Sequence, residues 1–219
     1  MLPRVAQVSC PRVYCFAYMA HEVRIGEDGG RAALLVDGVV QSISPDDGLT
    51  NGGYWAAMVP PQRPTRALIL GLGGGTLARL LHLRWGDAVQ VTGVDDDPTI
   101  VETARAAGWL AMPRLDVVLG DAFEFLDQCA ERFDFVAIDL FRGEEVDARA
   151  LSRPVLRRVR KLLQPPGLLA VNMFLDHRVP SRMERLRALF DVRDRVHVGG
   201  NVIVHARLRR GGRRRIRDA

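Results

Sequence analysis

"RALILGLGGGTLARLLHLRW", residues 66–85, joins a short apolar run to a glycine-rich turn and then to leucines at helical spacing. A run that is apolar at nearly every position suits a strand buried on both faces, as in a parallel sheet. Leu77, Leu80 and Leu81 recur at three- and four-residue steps, the spacing of one helix face. Between the two stand Gly71, Gly73 and Gly75, which let the backbone turn tightly and let a ligand approach atoms that a side chain would shield. Strand, glycine turn and helix together predict the opening of a βαβ unit, with helix N–H groups facing the turn.

The pattern repeats downstream. "VQVTGVD", "LDVVLGD", "FDFVAID" and "GLLAVNMF" read as strands. "PTIVETARAAG", "AFEFLDQCA" and "SRPVLRRVRKLL" read as the helices between them, with a further helix near 181–190. "DVRDRVHVGGNVIVHARL" reads as two strands turning at Gly199-Gly200, which adds an antiparallel strand at the end of the sheet. The class is α/β: a mostly parallel sheet covered by helices on both faces, closed by a C-terminal antiparallel hairpin. Upstream, residues 12–43 read as short strands broken by "GEDGG" and by Asp37-Gly38, a small N-terminal β-hairpin region. Residues 44–53 form a polar loop, "YWAAMV" starts a helix, and the prolines of 59–65 stiffen the passage into the next unit. The expected division is 1–63 for the N-terminal region and linker, 64–206 for the main domain and 207–219 for a basic, disordered tail.

Charge and cysteine content narrow the class. The net charge is +5, but residues 207–219 hold seven arginines and one aspartate, so the rest of the chain carries −1. The basicity therefore belongs to the tail, which is usually a solvated terminus and can also hold nucleic acid through phosphate contacts. No apolar stretch reaches the ~20 residues that span a bilayer. The start lacks the apolar core of a signal peptide, and three cysteines without a C-x-x-C fit a reducing cytoplasm and no zinc site. A cytoplasmic location, no membrane association and no metal are the expectations.

Ligands of such sheets lie beyond the C-terminal strand ends. Asp95 follows a strand and stands 24 residues after Gly71, the separation of a carboxylate that accepts from ribose hydroxyls. Asp121 closes the next strand, where it would accept from an adenine amino group, cap the following helix, or do both. Asp96 and Asp97 are solvated or cap the helix that Pro98 enters. The dinucleotide fingerprint wants glycine or alanine at position 76, but Thr76 stands there, and no G-K-[ST] forms a P-loop. The combination favours an adenosyl sulfonium over a nicotinamide dinucleotide.

Several motifs in order resemble the spermidine synthase (polyamine aminopropyltransferase) family, within the S-adenosylmethionine-dependent methyltransferase folds, from about Ala33 to Phe174. "LLVDGVVQSI" resembles the family's "LVLDGVVQ", "ILGLGGGTLAR" its "IIGGGDGGVLR", "VDDDPTIVETAR" its "VDIDPEVIELAR" and "LGDAFEFL" its "VGDGFEFL". "FDFVAIDLF" falls on the segment ending in D-S-S-D. The resemblance implies a Rossmann-like methyltransferase fold and a homodimer. It implies that Gly71, Gly73 and Gly75 turn beside the amino or aminopropyl end of S-adenosylmethionine or its decarboxylated form. Asp95 would hold the ribose, Asp121 with Ala122 the adenine, and Gln41 is a further candidate contact. Asp139 would accept a proton from the attacking amine, with Tyr54, Phe141 and Arg142 toward the acceptor.

The acceptor residues depart from the family. D-S-S-D reads "DLFR", so Arg142 replaces an acid; Gly74 replaces the aspartate of G-G-G-D-G; Trp55 and Ala56 follow Tyr54. A polyamine pocket needs carboxylates, since a unit-charge pair at about 4 Å is worth roughly 4 kcal/mol at an effective dielectric of 20. Three readings stand: aminopropyl transfer to an amine, methyl transfer to another acceptor, or nucleoside binding without turnover. Asn172 and Asp176 follow the next strand as polar candidates, and the five histidines are scattered without a partner at metal or catalytic spacing.

Overall fold

The computed structural model describes residues 21–44, 53–142 and 145–209, apart from the side chains of Arg142 and Glu145. Cys10, Cys15, most of the 44–53 loop, Glu144 and residues 210–219 lie outside them, so the expectations placed there are not carried further.

Three antiparallel strands come first: β1 (Val23–Asp28), β2 (Arg31–Val36) and β3 (Val39–Ile43). Asp37 and Gly38 make the second turn, both at positive φ, the conformation that two-residue hairpin turns demand. After α1 (Gly53–Met58) the alternation predicted from sequence begins. It runs β4 (Arg66–Leu70), α2 (Thr76–Trp85), β5 (Gln90–Asp95), α3 (Pro98–Ala106), β6 (Leu115–Leu119), α4 (Ala122–Gln128) and β7 (Phe133–Ile138). A two-residue ribbon, β8 (Phe141–Arg142) with β9 (Glu145–Val146), interrupts it. Then follow α5 (Arg153–Leu162), β10 (Leu163–Phe174), α6 (Val179–Leu189), β11 (Phe190–Val198) and β12 (Asn201–Leu208).

The large sheet has the order β11-β12-β10-β7-β4-β5-β6. β10, β7, β4, β5 and β6 are parallel, and β12 lies antiparallel to both β10 and β11. The final hairpin therefore contributes two strands, with the antiparallel one inserted between β10 and an edge strand β11. Alternation along β4 divides the core. Ala67 and Ile69 face Leu77, Leu80, Leu81 and the buried side chains of β2, β3 and α1, whereas Leu68 and Leu70 face Leu126, Leu156, Val159 and Leu186 of α4, α5 and α6. The small sheet thus shares one core with the large one, through Ala33, Leu34 and Ile43. Each such aliphatic side chain contributes about 1.5–3 kcal/mol on burial.

Helix starts match their sequence signals. Asp97 Oδ1 accepts from Thr99 N and Ile100 N with Pro98 entering the first turn; Asp121 Oδ1 accepts from Phe123 N and Glu124 N. These side chains satisfy amides that have no partner inside the helix.

Candidate active site

The register aligns five strand ends. Leu70 pairs with Val94 and with Ile138, Val94 with Val118, and Ile138 with Val171. The residues just beyond are Gly71, Asp95, Gly120 with Asp121, Asp139 and Asn172, one row along the carboxyl edge. Backbone bonds lace the row together: Asp139 N donates to Leu70 O at 2.8 Å and Gly120 N to Asp95 O at 2.8 Å. Gly71, at φ +85°, has no room for a side chain, because a Cβ there would lie 2.1 Å from the carbonyl oxygen of Asp139.

Five consecutive amides of the turn are already engaged. Gly71 N and Leu72 N donate to Val94 O at 2.9 and 3.0 Å, and Gly75 N to Leu72 O at 3.0 Å. Gly73 N donates to Asp95 Oδ2 and Gly74 N to Ser42 Oγ, both at 2.7 Å. A pyrophosphate is cradled by free backbone N–H groups, and amides 71–75 have none to give. This argues against a dinucleotide on grounds the fingerprint only suggested. Thr76, the residue that breaks the fingerprint, has a structural task. Its hydroxyl donates to Ile43 O at 2.8 Å and accepts from Ile43 N at 2.9 Å, clamping β3 over the turn. Gln41 lies half-buried on the same strand. The clamp was missed in the sequence, where nothing signals that Ser42 meets Gly74 or that Ile43 meets Thr76.

Asp139 is the most constrained of the row. Asn172 Nδ2 donates to its Oδ1 at 2.8 Å and the Tyr54 hydroxyl to its Oδ2 at 3.3 Å. Burial raises its pKa to about 6 against the pull of these two donors and of the neighbouring Trp55 side chain. Burial also raises Asp95 to about 6, opposed by the amides of Gly73 and Asp97. Tyr54 is pushed well above its ordinary value by burial and then by the Asp139 charge, so its hydroxyl remains a donor. Its ring stacks on Trp55 with centroids 4.1 Å apart. The resemblance put Tyr54 near Asp139, and in the structure its hydroxyl meets that carboxylate.

At the other end of the row Asp121 caps α4 with one oxygen, while the other lies 3.4 Å from Arg149 Nη2. Arg149 also stacks on Phe123, 3.9 Å from the ring centre, and pairs with Asp147 at 3.1 Å. Ala122 is buried at the helix start. Phe141 packs edge-on against Phe174 at 5.0 Å, beside the core under α5. Asp176 is engaged elsewhere, with both oxygens on Arg182 Nη1 at 2.9 and 3.0 Å. His21 lies 2.7 Å from Asp97, and His205 contacts the Met58 carbonyl. Among the described residues no group of three or more His, Cys, Asp or Glu side chains is placed to hold a metal ion.

Glycine turn, Asp95, Asp121 and Asp139 thus share one edge of the large sheet. A methyltransferase-domain family model matches residues 67–167. A polyamine aminopropyltransferase of Synechococcus sp. (strain JA-3-3Ab) is 34% identical over 170 residues, 68% of this chain and 52% of that protein. The chain is a divergent member of the spermidine synthase-like family. Solved structures share the fold. A probable spermidine synthase from Corynebacterium glutamicum ATCC 13032 has a TM-score of 0.68 at 18% identity, covering 86% of this chain and 77% of that one. The Thermotoga maritima spermidine synthase has 0.66 at 16%, covering 90% and 72%. This spermidine synthase-like chain spans about half the length of the curated relatives first matched.

Two positions that depart from the family's pattern are tightly packed. A Cβ at Gly74 would lie 2.8 Å from Ser42 Cβ and 3.1 Å from the Trp109 ring, so an aspartate does not fit there without displacing both. Trp55 is 8% exposed and fills space beside Asp139.

Proposed function

We propose that this chain binds an adenosyl sulfonium cofactor, decarboxylated S-adenosylmethionine or S-adenosylmethionine, along the carboxyl edge of β6, β5, β4 and β7, and transfers its aminopropyl group to a small amine. Asp95 holds the ribose, and Asp121 with Ala122 the adenine, once Arg149 moves off the second Asp121 oxygen. The observation that carries the reading is the Asp139 carboxylate, half-buried in that edge and held by Tyr54 and Asn172.

When bound, the sulfonium supplies a carbon whose bond to sulfur breaks as nitrogen attacks, the electron pair leaving on a neutral thioether. The protein then has to position the nucleophile and take its proton. Asp139, near 6 rather than the ordinary 3.8, is ionised at neutral pH yet a better base than a solvated carboxylate. Tyr54 and Asn172 each hold one of its oxygens, which fixes the orientation of the carboxylate. The homodimer implied by the family resemblance and a cytoplasmic location belong to the same reading.

Methyl transfer to a non-polyamine acceptor is the second reading. It is favoured by the closed position at Gly74, where the family's aspartate has no counterpart. Calorimetry with the two cofactor forms, followed by mass spectrometry over an amine panel, separates them. Tighter binding of the decarboxylated form and a mass gain of one aminopropyl group support the first. Tighter binding of the carboxylated form with methylated product supports the second and overturns the first.

A further inference from the structure

α5 carries Arg153, Arg157, Arg158, Arg160 and Lys161, and no acid. All five are exposed, while Leu156, Val159 and Leu162 on the other side of the helix are buried in the core. Arg158 is paired with Asp127 at 2.8 Å; Arg153, Arg157, Arg160 and Lys161 have no carboxylate partner among the described residues. Four and three residues apart, Arg153, Arg157 and Arg160 stand one above another on one helix face. On the adjacent α6 and at its N-cap, Arg187 and Arg178 are exposed against one exposed acid, Glu184. Residues 1–206 carry −1 in total, so this is a local concentration of charge and not a share of a basic surface.

The strip also has a direction. It begins at the candidate active site, where Arg149, three residues before the helix cap Ser152, reaches Asp121. It ends at the opposite edge of the sheet, where α5 passes into β10 at Leu163. Arg207 of β12 lies beside the start of β10, paired with Leu168 and donating to Pro166 O at 3.2 Å.

We propose that the outward face of α5 is a docking strip for the phosphodiester backbone of a nucleic acid. This goes beyond the transfer reaction and does not depend on it. Phosphate contacts by Arg and Lys carry affinity without base recognition. An anionic bilayer fits less well. A surface helix holds a bilayer by inserting apolar side chains, and those of α5 are committed to the core. None of the exposed large hydrophobic residues among those described lies on α5.

The test is fluorescence anisotropy of the full chain with a labelled mixed-sequence RNA of about 20 nucleotides, titrated between about 50 and 200 mM salt. Arg153→Gln, Arg157→Gln and Arg160→Gln are combined in one variant; glutamine keeps the helix propensity of arginine at exposed positions. The expected result is binding weakened at least about tenfold at the lower salt, with a log–log salt slope shallower by about 2, from three lost contacts at about 0.7 each. A matched loss of three charges away from α5, Arg24→Gln, Arg63→Gln and Arg105→Gln, should change affinity less than about twofold. Equal weakening by the two variants overturns the proposal. So does RNA binding that is lost on Arg213→Gln, Arg214→Gln and Arg215→Gln but unmoved by the α5 variant. Binding to phosphatidylserine vesicles in place of RNA overturns it as well.

Discussion

Tyr54 donates its hydroxyl to Asp139 Oδ2 at 3.3 Å across 85 residues of sequence. The contact ties the first helix, outside the βα alternation, to the strand end where an acceptor would arrive. It also lowers the Asp139 pKa against the effect of burial. Tyr54→Phe should therefore raise the Asp139 titration midpoint above about 6. Loss of the bond should cost about 1 kcal/mol and lower the thermal midpoint by about 2–4 °C for a chain of this size. NMR titration of a carbon-labelled Asp139 checks the first, and a midpoint that stays in place or falls contradicts it.

Asp95 and Asp139 both titrate near 6 in the folded chain against an ordinary 3.8. The folded state therefore binds more protons than the unfolded one between about pH 4 and 6. These two groups favour folding below that window and lose that contribution as pH rises through it, by at most about 3 kcal/mol each. Urea unfolding of Asp139→Asn should show a smaller decline over the window than the parent chain. A cationic sulfonium favours the ionised carboxylates, so its affinity should rise as pH passes 6, while neutral methylthioadenosine binds with little change. Parallel pH curves for the two ligands would contradict this placement of the charges.

Gly71 and Gly199 both have positive φ, +85° and +55°, but only Gly71 lies against backbone, and nothing comes within 4 Å of a Cβ at Gly199. Alanine at 199 should cost about 1–2 kcal/mol, the price of a left-handed residue. Alanine at 71 should cost more than about 4 kcal/mol, since β4 and β7 must separate where they are hydrogen-bonded. Urea midpoints of the two variants give the comparison; similar values would mean that Gly71 serves the turn alone.

The Thr76 hydroxyl is the clamp between β3 and the glycine turn. Thr76→Val keeps the shape but leaves the Ile43 amide and carbonyl without that partner, at a cost of about 1–3 kcal/mol. Thr76→Ser should recover most of it. Stability curves for the pair check this, and a neutral Thr76→Val would leave the clamp without energetic weight.

The βα alternation was legible because apolar runs, helical leucines and Asp or Pro at helix starts each act locally. Asp95, Asp121 and Asp139 were legible for a related reason: a polar residue ending an apolar strand marks the sheet's ligand edge. What escaped was contact between distant segments. Ser42 on Gly74, Thr76 on Ile43 and Tyr54 on Asp139 pair residues 32, 33 and 85 positions apart, and no periodicity announces such meetings. Asn172 was a strand-end candidate, but its grip on Asp139 depends on the register of β10 against β7. The β8-β9 ribbon lay hidden in "DLFRGEEV", too short for any alternating pattern to show.

The most direct measurement is a pair of calorimetric titrations of the full chain, with methylthioadenosine and with NAD. The engaged amides of residues 71–75, with Asp95 and Asp121 on the flanking strand ends, predict one saturable site for methylthioadenosine, weakened at least about tenfold by Asp95→Asn, and no binding of NAD. Binding of NAD, or no heat with methylthioadenosine at any pH between about 6 and 8, would contradict it.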